Sequence, residues 1–239
     1  MKVIAEKCVG CALCVPYCPV NAIHVTAERK AVVDEDKCFE CWVCHRVDVC
    51  PTEAIQPVEL KWPRDLMWNF ACPTKDWPMT RMAGRGTEEM KTNEVTGRFK
   101  RGEVGIGVDV GRPGVGTTFD DVEKITRAVA PLGVMFEKEN PISMIIDVNT
   151  GKLADEKLRN VKVLSAVLEF KTTLENLKNV LRELQKVSRK INTVMSVALI
   201  SRVEPDGSVP FLKKLGELGI KHRPNTKTNV GLGRTPASM

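Results

Sequence analysis

The sequence predicts an α+β protein in three parts, and three observations carry that prediction. Residues 1–60 hold eight of the nine cysteines, in two similar blocks that share a spacing of 30 residues from Lys7 to Lys37. Residues 61–101 gather tryptophan and proline with little periodic signal. Residues 102–239 alternate strand-like apolar runs with amphipathic helical stretches, which predicts an α/β sandwich of their own.

The first block reads Lys7-Cys8-Val-Gly-Cys11-Ala-Leu-Cys14-Val-Pro-Tyr-Cys18-Pro19. The second reads Lys37-Cys38-Phe-Glu-Cys41-Trp-Val-Cys44, then five residues, then Cys50-Pro51. Two residues between cysteines make a tight turn that aims three thiolates at one centre, and the following proline stiffens the fourth. Zinc is the rival metal, but a tetrahedral zinc site fed by paired CxxC turns has no use for a third close thiolate. The pattern resembles the bacterial ferredoxin signature for [4Fe–4S] clusters. That resemblance implies two clusters with crossed wiring. Cys8, Cys11, Cys14 and Cys50 would hold the first, and Cys38, Cys41, Cys44 and Cys18 the second. One departure stands out: His45 to Val49 separate Cys44 from Cys50, where the family usually has three residues. The insertion leaves two candidates to complete the first set, Cys50 and the odd Cys72. The bland alternative for Cys72 is a buried apolar thiol. His45, next to Cys44, reads as a solvated loop histidine, and His24 as a strand residue with a polar tip.

In chain order, Lys2 to Ala5 form a short strand, and Ile23–Val25 with Ala31–Val33 a small strand pair. Residues 57–100 contain Pro57, Pro63, Pro73 and Pro78, too many for regular structure to be expected. Within them, Trp62, Met67, Trp68 and Trp77 suit a partner-docking surface, since rigid aromatics anchor interfaces. They suit equally a cover that bridges the clusters to the next domain. Cys38-Phe-Glu-Cys41-Trp-Val-Cys44 followed by Arg64-Asp-Leu-Met67-Trp68 is similar to the iron–sulfur (beta) subunit of adenylylsulfate reductase. In that family a tryptophan-bearing tail wraps a flavoprotein partner, and the resemblance therefore implies FAD on a partner subunit.

From residue 103 the pattern alternates strictly: Val104, Ile106, Val108 and Val110 on one strand face, Gly105, Gly107 and Asp109 on a nearly bare one. Gly111-Arg112-Pro-Gly114-Val-Gly116 then leads into a helix capped at Thr118, with Phe119, Val122, Ile125 and Val129 on one stripe. Asp109, Arg112, Gly114 and Gly116 form a candidate anion or substrate site, or else a plain turn; neither GxGxxG nor a P-loop occurs. Strands are expected over Ile142–Val148, Val161–Phe170 and Val194–Val203, with a turn at Asn149–Gly151. Helices are expected through Leu174–Ile191 and Leu212–Leu218, the latter ending at Gly219. The tail from Pro224 to Met239 reads as a final strand and a loose end. Residues 92–116 also resemble the part that follows the ferredoxin in 6-hydroxynicotinate reductase-like proteins.

Residues 1–60 carry six basic and nine acidic side chains, the rest 30 and 21. The basic residues are spread out, without a dense run or interleaved aromatics, so nucleic acid is not the expected partner. The longest apolar run, Val194–Ile200, is too short to cross a bilayer, and no secretory signal precedes Cys8. The sequence thus predicts a cytoplasmic iron–sulfur protein of an anaerobic oxidoreductase complex, a non-catalytic electron-transfer subunit that docks on a flavoprotein. The alternatives are a self-contained reductase whose C-terminal domain binds substrate, and a redox-sensing regulator.

Overall fold

A computed structural model describes residues 1–71 and 97–222 of the chain. The N-terminal unit contains strands β1 (Lys2–Val3), β2 (Ile23–Val25) and β3 (Ala31–Val33), one helical turn α1 (Val43–Arg46), and β4 (Ile55–Gln56). β1 pairs with β4 and β2 with β3, both antiparallel. Its core is small: Met1, Ile23, Ala31, Ala54 and Ile55 pack with Cys8 and Cys14. So few apolar side chains are a weak basis for stability, which leaves room for a bound metal group to contribute folding energy. The sequence repeat is also a backbone repeat. Gly10 and Ala12 in the first block, and Glu40 and Trp42 in the second, all adopt the left-handed conformation, with φ between 54° and 69°. Those turns are where the CxxC spacing demands a sharp reversal. The residues inserted before Cys50 begin within α1, and His45 turns its Nδ1 to the carbonyl of Ile55 at 3.1 Å, rather than to solvent.

Regular structure was not expected after residue 57, yet α2 (Arg64–Ala71) forms two helical turns. Pro63 lies just before it, where a missing N–H is harmless, and no glycine or proline interrupts the eight helical residues. Met67 and Phe70 are buried in the core of the second domain. Trp68 stacks on Trp42 of the N-terminal unit with ring centroids 4.7 Å apart. Trp62 is 55% exposed. Trp77, Cys72 and the tail from Pro224 lie outside the described residues.

The second domain is organised on β5 (Glu103–Val110), which has the bounds that its alternation predicts. After it come β6 (Thr117–Thr118), α3 (Phe119–Val129), β7 (Met135–Phe136), β8 (Lys162–Val163), β9 (Ala166–Thr173), α4 (Leu177–Val187), β10 (Met195–Ile200) and α5 (Phe211–Glu217). A four-stranded sheet runs in the order β10-β5-β9-β7, with every pair antiparallel. Val104, Ile106, Val108 and Val110 have no exposed surface, and they pack with the stripes of α3, α4 and α5. Each such buried side chain is worth about 1.5–3 kcal/mol, so this strand anchors the domain. Thr118 caps α3, its hydroxyl accepting the Asp121 N–H at 3.3 Å.

Two strand expectations are corrected. Residues 142–148 form turns, with a single bridge from Ile146 to Leu153. The Asn140 side chain accepts the Ile142 N–H at 2.8 Å, capturing a donor that a ladder would need, and Asp147 closes a turn onto Gly151 and Lys152. The expected strand 161–170 is two strands, because the chain changes partner at Leu164–Ser165: β8 pairs with β6, then β9 with β5. The bare face of β5 is partly covered, since the Phe99 ring lies over Gly105 where a Cβ would stand.

The two units are joined by several contacts. α2, held in the second domain where Phe70 meets Phe119 of α3 edge-on at 5.0 Å, reaches the N-terminal unit through Trp68 on Trp42. Lys162 donates to the Asp36 carbonyl at 3.3 Å. The glycine loop between β5 and β6 lies on the N-terminal unit: a Cβ on Gly114 would come 2.8 Å from the Pro19 carbonyl oxygen, and one on Gly116 would enter the Phe39 ring. Gly116 also has φ +79°. Gly116→Ala therefore meets both a left-handed backbone and an occupied space, and is expected to destabilise the chain by ~2–4 kcal/mol in chemical denaturation. Gly133→Ala provides the comparison. Gly133 has φ +69° and nothing within 4 Å of an added Cβ, so only the backbone contribution of ~1 kcal/mol is expected there. Equal losses in the two variants would show that the loop does not clasp Phe39.

Candidate metal centre

The eight cysteines of the N-terminal unit gather into two hollows. Cys8, Cys11, Cys14 and Cys50 line one, together with Val3, Ala31 and Ile55. Cys18, Cys38, Cys41 and Cys44 line the other, with Met1, Ile23, Val33 and Trp42. Each hollow thus takes three thiols from one sequence block and the fourth from the other. Backbone N–H groups point at the fourth cysteines: Ala54 donates to Cys50 Sγ at 3.2 Å and Ala22 to Cys18 Sγ at 3.1 Å. Ala31 donates to Cys8 Sγ at 3.3 Å. N–H groups aimed at sulfur stabilise the negative charge that a metal-bound thiolate carries. Among the described residues no three His, Cys, Asp or Glu side chains form a site for a single metal ion. Four sulfurs ringing an apolar hollow suit a polynuclear cluster, in which each thiolate takes a different iron.

The two hollows differ in their surroundings. Burial pushes the Cys38 thiol up to about 11 and Cys44 up to about 12, and it raises Cys41 as well. For Cys50, burial acts in the same direction, but the N–H groups of Ala54 and Thr52 with the Thr52 hydroxyl outweigh it, and the thiol is lowered. Around the first hollow, Cys11 is exposed, and the lining residues Val9 and Leu13 are 59% and 49% exposed. The second domain lies against residues that line the second hollow, through Phe39 under Gly116, Pro19 under Gly114 and Trp42 against Trp68.

Sequence reasoning missed Glu40. This carboxylate has no exposed surface, and its Oε2 accepts from the Met1 amino group at 2.9 Å and from Trp42 Nε1 at 2.8 Å. Arg64 pairs with its Oε1, and Cys38 Sγ lies 3.7 Å from the same oxygen. Burial alone would raise the Glu40 carboxyl, yet the Met1, Arg64 and Trp42 hydrogen bonds hold it below the usual range. The available signal was a glutamate at the left-handed position that Gly10 occupies in the first block. Two other cations back the thiols' own carbonyls, Lys30 on Cys8 at 2.6 Å and Arg46 on Cys41 at 3.1 Å.

The predicted docking residues divide: Met67 is internal, Trp68 bridges the two units, and Trp62 is open to solvent. Of the candidate anion site, Arg112 Nη1 lies 3.2 Å from Asp109 Oδ1, and its Nε donates to Ser165 Oγ at 3.3 Å. Gly114 and Gly116 are turned toward Pro19 and Phe39. Arg112 is thus engaged by protein groups, and the two glycines serve the contact with the N-terminal unit.

Residues 1–24 match the family model of the 4Fe–4S binding domain. A ferredoxin of Methanothermococcus thermolithotrophicus is 46% identical over 52 residues, which span 83% of that protein and 21% of this chain. Ferredoxin-3 of Chlorobaculum tepidum is 45% identical over 58 residues, 89% of that protein and 22% of this chain. The chain belongs to the bacterial-type ferredoxins. The match rests on its N-terminal part, and that ferredoxin unit binds a [4Fe–4S] cluster through its cysteine motif. The same region is 45% identical over 57 residues to one component of an ion-translocating oxidoreductase complex of Methanosarcina acetivorans, 20% of that protein and 23% of this chain. No solved structure matches. No helix among the described residues is long and apolar enough to cross a membrane.

Proposed function

We propose that this chain is an iron–sulfur electron-transfer subunit with two [4Fe–4S] clusters, relaying electrons to or from a flavoprotein that carries FAD. In this proposal residues 1–60 form the two-cluster domain, 61–101 the connection to residues 102–239. Cys8, Cys11, Cys14 and Cys50 hold one cluster, and Cys18, Cys38, Cys41 and Cys44 the other. The observation that carries it is the gathering of the eight thiols into two sets of four, each ringing one hollow. Clusters of this kind supply one-electron transfer when bound, while a flavin exchanges electron pairs with substrates and single electrons with clusters. That division of labour is the reason for placing the substrate chemistry on a partner.

The chain's own residues do three things here. The thiols surrender their protons on loading, which burial makes hardest at Cys38 and Cys44. Lys30, Arg46 and Arg64 offset the negative charge of the loaded sites. The apolar rim of Val9 and Leu13 gives a redox partner close approach to the first set, while the second domain lies against residues that line the other. The name of the Methanosarcina relative, a component of a complex, supports a multi-subunit setting.

The test is an anaerobic affinity purification from the native host, with iron and flavin assayed in the eluate. About eight irons per chain and a stoichiometric flavoprotein are expected. Leu13→Glu should lower the co-eluting flavin about tenfold and leave the iron unchanged, since a charge at the rim opposes docking. Full iron without any flavin would transfer the proposal to a reductase complete in this chain.

A further inference from the structure

We propose that two copies of this chain pair through β10, joining their sheets into one across a two-fold axis at Val197. β10 is an edge of the four-stranded sheet: β5 occupies one side of it, in unbroken register from Met195 opposite Val110 to Ile200 opposite Gly105. Among the described residues no strand pairs with its other side. Such an edge is a template for a further strand, and folded proteins usually blunt it with a lysine, a proline or a bulge. β10 has none of these. From Asn192 to Ser201 the chain carries no charge and no proline, and the six paired residues contain no bulge. Ser196, Val197 and Ala198 are exposed, Val197 at 38%. The opposite edge, β7, is only two residues long and runs directly into Glu137-Lys138-Glu139, so it is protected in the ordinary way.

The strand selects a second copy because it is complementary to itself. Residues directly opposite in an antiparallel pair point to the same face. With the axis normal to the sheet at Val197, Val197 meets its own copy, Met195 meets Leu199, and Ser196 meets Ala198. Every pair is apolar with apolar or small with small, the kind of cross-strand contact that stabilises a sheet. No like charges oppose one another. The inference does not depend on the electron-transfer proposal, since β10 takes no part in either cysteine hollow.

Sedimentation velocity of the full chain at tens of micromolar is expected to give the mass of two chains. Val197→Lys places two ammonium groups against each other and should raise the dissociation constant at least 100-fold, leaving one chain per particle. Val197→Thr should remain paired. Iron content and circular dichroism of the lysine variant check that it is folded; Val197 is exposed enough to accept the change. Amide exchange of the unmodified protein gives a second measurement that needs no variant. Residues 195–200 should exchange more slowly as concentration rises. A single-chain particle at all concentrations would overturn the proposal. So would a dimer untouched by Val197→Lys, or β10 amides equally protected at every dilution, which would mean that the chain itself fills the edge.

Discussion

Cys8→Ala combined with Cys50→Ala is expected to leave about four irons per reconstituted chain, the same as either change alone. Cys8→Ala combined with Cys18→Ala is expected to leave almost none. The contrast follows from which thiols share a hollow: Cys8 with Cys50, although 42 positions apart, and Cys18 with Cys38, Cys41 and Cys44. Two changes to one quartet damage one cluster, whereas a change to each damages both. Non-additivity of this kind reports which residues act as a unit. Iron and acid-labile sulfide per chain, measured after anaerobic reconstitution, give the answer. If each block held its own cluster, the pattern would invert. Cys8→Ala with Cys18→Ala would keep four irons, and Cys8→Ala with Cys50→Ala would keep none. Full iron in Cys50→Ala alone would point instead to Cys72 as the completing thiol. The effect should be large because loading is coupled to folding in a unit whose own apolar core is a handful of side chains.

The cysteine spacing made the ligand-bearing turns legible, because CxxC leaves a thiolate little choice of direction. The residues that surround those turns were not legible, since they come from remote positions. Arg64 reaches Glu40 across 24 positions, and Gly116 reaches Phe39 across 77. In the second domain, β5 and α3 were readable from one strict alternation and one stripe with its Thr118 cap, both local signals. Residues 142–148 misled because burial alone does not make a strand. Ile142 and Ile146 are buried, but Asn140 had already taken the Ile142 amide. α2 was missed for the opposite reason. Proline density argued against helix over the whole segment, yet Pro57 and Pro63 both fall before its first turn, where proline is tolerated. By sequence the tryptophans suit exposed anchors or a cover equally. Trp68 against Trp42 follows the second pattern and Trp62 has the exposure of the first.

Glu40→Gln is expected to raise the reduction potential of one cluster by roughly 90 mV while leaving the other nearly unchanged. The carboxylate sits 3.7 Å from Cys38 Sγ, fully buried, and its charge is held by the Met1 amino group and Arg64. With a cluster on the second quartet, as proposed, reduction adds negative charge there, so a neighbouring anion opposes it, and removing that anion must move the potential upward. A unit charge near 4 Å would be worth ~4 kcal/mol at an effective dielectric of 20. Spread over a whole cluster, about 2 kcal/mol is a fair share, and for one electron that is the ~90 mV stated. Glutamine keeps an oxygen for Trp42, so the change tests charge rather than packing. It also leaves Met1 and Arg64 without their common counter-ion, and a stability loss of ~1–3 kcal/mol should accompany the shift. Glu35→Gln separates this from a general loss of acidity. Glu35 pairs with the same Arg64 at 2.7 Å, but its side chain is 73% exposed, so solvent screens it and a shift under ~20 mV is expected. Protein-film voltammetry of the two variants, each confirmed to hold full iron, decides the matter. Equal shifts in both variants, or a fall in potential for Glu40→Gln, would mean that the buried carboxylate serves only to hold the turn between Cys38 and Cys41 in its left-handed shape.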